Sequence, residues 1–149
     1  MNKLFLSISC IMLAAVSHAN ELTNKQNDKI KQEITKTMSM SVNCWNNGDL
    51  KCFMNGYAHN DKTTFISGNK FIHGWQSSYD HYKEKYGNDK KGMGKLQITV
   101  DAIEPLDFNH AYLYGKWHLV ANDKEYNGVT SLIFQKISGK WEIILDHSN

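Results

Sequence analysis

The sequence predicts an α+β domain with helices packed on one face of a strongly bent, mainly antiparallel sheet. Three observations predict it. Apolar residues in the first half recur at helical spacing, the last third alternates as strands do, and the length holds one core rather than two. Of 149 residues, 41% are hydrophobic and 21% charged, which describes a folded globule and excludes a disordered chain. All 17 basic residues are Lys, so no guanidinium fork is available for bidentate grip on phosphate. A formal charge of only +2 argues against a nucleic-acid partner.

The first element is an address. Met1-Asn2-Lys3 is a short positive start, Leu4 to Val16 is mostly apolar, and Ser17-His18-Ala19 places small residues around a cut after Ala19. That pattern is a cleaved secretory signal over residues 1–19. The alternative is a lipoprotein signal on Cys10, which would leave a short apolar core. The domain then spans residues 20–149, with no span in the mature chain, and the expected location is periplasmic or secreted. Cys44 and Cys52 remain after the cut, an even number in an oxidising compartment, so a disulfide between them is expected. Two buried thiols are the alternative.

Residues 24–46 carry Ile30, Ile34, Met38, Val42 and Trp45 at steps of four, four, four and three, a helix. Gly48 suits the left-handed residue after it, and Asp49 suits the N-cap of a second helix reaching about Ala58. Thr63 to Ser67, Gly68-Asn69 and Lys70-Phe71-Ile72 read as a hairpin. A third helix follows Gly74, with Trp75, Tyr79, Tyr82 and Tyr86 as a wholly aromatic face. Gly87 to Gly94 reads as a solvated loop. Strands follow over Leu96–Val100, Ala111–Val120, Val129–Ile137 and Trp141–His147. In the last, Trp141, Ile143, Leu145 and His147 share one face by alternation.

The chain resembles the nuclear transport factor 2-like superfamily, and in particular its SnoaL-like bacterial group. The resemblance rests on Trp45-Asn46-Asn47-Gly48-Asp49-Leu50, which matches that group's W-x-x-G-D-L helix junction. It also rests on Tyr57 with Asp61 and Phe65-Ile66, on Gly74-Trp75-Gln76 with Tyr82 and Tyr86, and on Gly115-Lys116-Trp117-His118-Leu119. The end, Trp141-Glu142-Ile143-Ile144-Leu145-Asp146-His147-Ser148, matches its last strand. The resemblance implies a cone-shaped fold with three N-terminal helices. One slot departs: Gly128-Val129-Thr130 stands where that group has Gly-His-Phe, which implies a different pocket wall.

Such a cone encloses a cavity, and four Trp, seven Tyr and six Phe are enough to line it. The expected lining is Trp45, Tyr57, Phe65, Trp75, Tyr79, Trp117, Trp141 and His147, with Tyr O–H and Trp N–H groups as polar handles. The competing reading makes these rings core. Asp61, after the second helix, is a candidate general base, since related isomerases use a carboxylate in that way; an exposed turn Asp is the alternative. His147 is a candidate proton carrier, or a histidine bonded to backbone or a dimer contact. Metal-ligand spacing, the G-x-S-x-G nucleophile turn and glycine-rich phosphate loops are absent from the sequence, so no metal or cofactor is expected.

Three functions follow. The first is an exported module that binds a small apolar or aromatic molecule without catalysis. The second is an acid–base enzyme of isomerase or dehydratase type using Asp61 or His147. The third is a homodimer joined through a sheet face bearing Tyr112, Tyr114 and His118.

Overall fold

The structure, a computed structural model, describes residues 22–149. The leader read over residues 1–19 lies outside the described residues.

Helix α1 spans Asn24–Asn46. Thr23 caps it in a reciprocal box: its Oγ1 accepts from the Gln26 N–H at 3.3 Å while Gln26 Oε1 accepts from the Thr23 N–H at 2.8 Å. The predicted stripe of Ile30, Ile34, Met38 and Trp45 is buried. Gly48 then turns the chain at φ +74°, a conformation that suits glycine. Asp49 caps α2, Leu50–Met54, by accepting from the Cys52 N–H at 2.9 Å. A disulfide joins Cys44 to Cys52 across this junction, with Cα atoms 5.4 Å apart. The second helix is shorter than its periodicity suggests. Beyond Met54 the chain leaves the helix, and Tyr57 forms an isolated bridge to Ile143.

Strands β1 (Thr64–Ser67) and β2 (Lys70–His73) form the hairpin. Helix α3, Trp75–Tyr86, follows it. A short helix α4, Lys90–Met93, occupies the segment read as a loop. Asp89 caps it and Met93 is fully buried, so one apolar anchor orders an otherwise polar stretch. Strands β3 (Lys95–Pro105), β4 (His110–Ala121), β5 (Lys124–Ile137) and β6 (Lys140–Ser148) complete the chain. The six strands form one sheet in the order β2-β1-β6-β5-β4-β3. All neighbours are antiparallel except β1 and β6, which pair in parallel.

Two features of the expected architecture are corrected. Among the described residues two helices, α1 and α2, precede the sheet, not three. The third starts only after the β1–β2 hairpin, at Gly74, whose φ of +90° turns the chain out of β2. Nor is the sheet strongly bent. It is one continuous open ladder whose edges, β2 and β3, stay apart, with register shifts only at Val100/Ala102 and Ile133/Phe134.

The helices cover one face. Leu113, Leu119, Leu132, Phe134 and Ile143 on that face join Ile34, Met54 and Trp45 in the core. The opposite face carries the exposed Tyr112, Tyr114, Val129 and Ile133. No helix among the described residues is long and apolar enough to cross a membrane.

Candidate functional site

Between the helices and the covered face lies a cavity of about 680 Å³. Met38 and Trp45 of α1, Phe53 of α2, and Leu96, Ile98, Leu119 and Leu132 of the sheet supply apolar wall. The volume lies within the range of small-molecule sites, roughly 300–1,000 Å³. Its exposed lining residues, among them Gly68, Lys85, Tyr126, Asn127 and Asn149, mark the end open to solvent. Buried Ser41, Tyr57 and Asp146 mark the closed end.

The closed end is polar. Asp146 is only 2% exposed. Its Oδ2 accepts from the Tyr57 hydroxyl at 2.6 Å and the Tyr82 hydroxyl at 3.4 Å. Its Oδ1 accepts from the Ser148 hydroxyl at 2.5 Å, and Thr130 Oγ1 lies 2.9 Å from that same hydroxyl oxygen. Burial raises the Asp146 carboxyl above its ordinary value, although the Ser148, Tyr57 and Tyr82 hydroxyls each pull it back. Burial, and then the charge of Asp146, push Tyr57 and Tyr82 well above 10.0, so both phenols stay protonated donors. A carboxyl held in this way can accept, or when protonated donate, a hydrogen bond or a proton.

The local cause is a bulge. Phe134 pairs with Ile143 and Ile133 with Leu145, so Ile144 is the extra residue of β6. The face alternation shifts there. Trp141 and Ile143 point inward before the bulge, and Asp146 is buried after it. His147 is therefore transposed to the other face, beside Ser131 and Ile66, where Asn149 Nδ2 lies 3.0 Å from its Nε2.

The remaining expected site residues divide. Trp45, Tyr57, Phe65 and Trp117 line the cavity together. Phe65 stacks on Tyr82 at 5.0 Å, and Trp45 anchors its indole N–H on the Met93 carbonyl at 2.8 Å. Trp75 and Trp141 line a separate groove beside the disulfide. Their indoles donate to the Met54 carbonyl and the Glu33 carboxylate, both at 2.8 Å. Tyr79 stacks on Trp75 at 5.5 Å, and neither it nor His147 lines either space. Asp61 is exposed, and its turn is organised by Asn60, whose Oδ1 accepts from the Lys62 and Thr63 N–H groups. In the departing slot, Thr130 lines the cavity and Val129 faces solvent. Sequence reasoning left Asp146, Tyr82, Lys85 and Ser148 outside the site. The available signal was two tyrosines on buried faces, whose hydroxyls require acceptors. Among the described residues no group of three or more His, Cys, Asp or Glu is placed to hold a metal.

A helical layer on one six-stranded sheet, with an internal cavity ending in a buried carboxyl–hydroxyl cluster, defines a pocket-bearing α+β domain. No family model matches the chain and no curated protein matches it. Solved structures do match. A nuclear transport factor 2-like protein of unknown function from Shewanella oneidensis MR-1 is 34% identical, with 80% of this chain and 98% of that one covered and a TM-score of 0.76. A nuclear transport factor 2-like superfamily protein from Salmonella enterica is 22% identical over 82% of this chain and 91% of that one, with a TM-score of 0.63. A domain of unknown function with a cystatin-like fold from Nostoc punctiforme shares 13% identity, 86% and 78% coverage and a TM-score of 0.67. The last two speak to fold alone. The chain belongs to the nuclear transport factor 2-like superfamily.

Proposed function

We propose that this protein binds a small, largely apolar molecule in the cavity, with the Asp146–Tyr57–Tyr82 cluster as its polar end. The observation that carries the reading is the cavity itself: about 680 Å³, apolar along its length and hydroxyl-lined at its closed end. Within the superfamily we assign it to the SnoaL-like group on the Trp45 to Leu50 junction. We also assign it to the periplasm or exterior, after cleavage near Ala19. The Cys44–Cys52 bridge fits an oxidising compartment.

Thermal unfolding with a panel of small aromatic compounds tests the reading. A compound at a hundred times its Kd stabilises by about 2.7 kcal/mol, roughly 10 °C for a domain of this size. Ile98→Trp, which fills the cavity from β3, should abolish the shift. No shift with any compound would remove the reading.

Asp146 favours a second reading, acid–base chemistry on the bound molecule, in place of Asp61 or His147. A carboxyl raised by burial and aligned by two phenols has the character of a proton carrier. A third concerns assembly. Exposed Tyr112, stacked on Tyr114 at 6.3 Å, with Val129 and Ile133, gives the uncovered face a surface for a homodimer. A sedimentation mass of one chain at micromolar concentration would exclude it.

A further inference from the structure

We infer that the molecule held in the cavity is a carboxylate: an apolar, ring-sized body carrying an anionic group that Lys85 receives at the open end. The inference rests on the cavity being a ligand site and goes on to name the ligand's charge.

Among the described residues three charged side chains line the cavity: Lys85, Glu125 and Asp146. Their states differ. Asp146 sits at the closed end, saturated by three hydroxyls and favoured in its neutral form by burial. Glu125 already faces an imidazole, with Oε2 3.4 Å from His118 Nε2. Lys85 makes no ion pair with any carboxylate among the described residues. Its Nζ lies 5.1 Å from the centroid of the Tyr86 ring, a contact that steadies the ammonium without neutralising it.

Lys70 adds to the positive charge near Lys85. His81 is held below its ordinary value by burial and then by the positive charges of Lys85 and Lys70, with Glu84 alone opposing. Lys70 adjoins the hairpin turn whose Ser67 and Gly68 line the cavity. A cation at Lys85 meets like charge, and a neutral molecule leaves the ammonium unused. An anion is attracted to the Lys85 ammonium and placed with its apolar body toward Trp45, Phe53 and Ile98. A carboxylate suits a single ammonium; the chain has no arginine to grip a phosphate in two places.

Three probes of one shape and different charge test this: 2-naphthoate, 2-naphthylmethanol and 2-naphthylmethylammonium, titrated into the intact mature protein by calorimetry. The expected order is carboxylate, alcohol, ammonium. Lys85→Gln should reduce the carboxylate-to-alcohol affinity ratio by about three- to fivefold, as an exposed ion pair allows. Lys85→Arg should restore it, and about 0.5 M salt should erase the effect. Lys85 is exposed, so circular dichroism should show each variant folded. If all three probes bind alike, or if Lys85→Gln leaves the ratio unchanged, the carboxylate inference falls while ligand binding stands. If none of the three binds, ligand binding and the inference fall together.

Discussion

Tyr57→Phe isolates the cluster at the closed end of the cavity. The substitution keeps the ring, its packing against Phe53 at 5.7 Å and the backbone bridge to Ile143. It removes one hydroxyl, the shorter of the two phenol bonds to Asp146. A buried hydrogen bond to a charged or partly charged group contributes about 1.5–3 kcal/mol. Tyr82, at 3.4 Å, compensates poorly from its present position. The expected loss is therefore about 2 kcal/mol, measured by urea unfolding with tryptophan fluorescence. The pH dependence makes the argument specific. The Tyr57 hydroxyl favours the ionised carboxyl, so without it Asp146 rises further, and the variant's deficit should be larger at pH 7.5 than at pH 4. A deficit below about 0.5 kcal/mol, or one equal at both pH values, would refute the claim that this bond stabilises a buried carboxylate.

Asp146→Asn should show the complementary behaviour. A carboxyl raised by folding destabilises the native state as pH climbs from 3.8 through the folded value, and Asn does not titrate. Relative to wild type, the Asn variant should therefore gain on going from pH 4 to pH 7, read from paired denaturant curves. Replacing Cys44 and Cys52 by Ser opens a link of sequence separation 8, worth about 2.5 kcal/mol in the chain-entropy model. The loss should appear as a lower thermal midpoint that reductant no longer moves. Gly48→Ala should cost about 2 kcal/mol or more, because the residue sits at φ +74° and a Cβ would stand 2.3 Å from the Lys90 backbone nitrogen. Denaturant unfolding checks it, and full stability in the variant would contradict the close approach.

Much of the first half was legible because its signals are local. The stripe from Ile30 to Trp45 repeats at the helical period, and Gly48 and Asp49 carry their conformational preference within one or two residues. The bridge followed from two cysteines on either side of a short turn. The site was less legible. Alternation alone assigns His147 to the inner face, and it would be correct if β6 were regular. The extra residue at Ile144 is fixed by pairing with Ile133 and Phe134 of β5, and the sequence of β6 by itself carries no mark of it. Asp61 has the right chemistry, but Asn60 organises its turn and leaves it in solvent. Helix α4 was missed because its only apolar anchor, Met93, stands among glycines and lysines.

The sequence by itself determined the α+β class, the order of the elements apart from α4, the Gly48–Asp49 junction and the disulfide, since each depends on neighbours along the chain. Tertiary structure decided which side chains meet. Phe65 of β1 sits beside Asp146 of β6 only because those strands pair in parallel, and Tyr57 and Tyr82 reach one carboxyl from segments far apart in sequence. It also decided that the sheet stays open and that Lys85 stands where the cavity meets water. A one-residue bulge is a small event in backbone energy. It nevertheless exchanges the two faces of a strand, which sets whether an acid or an imidazole looks into the cavity.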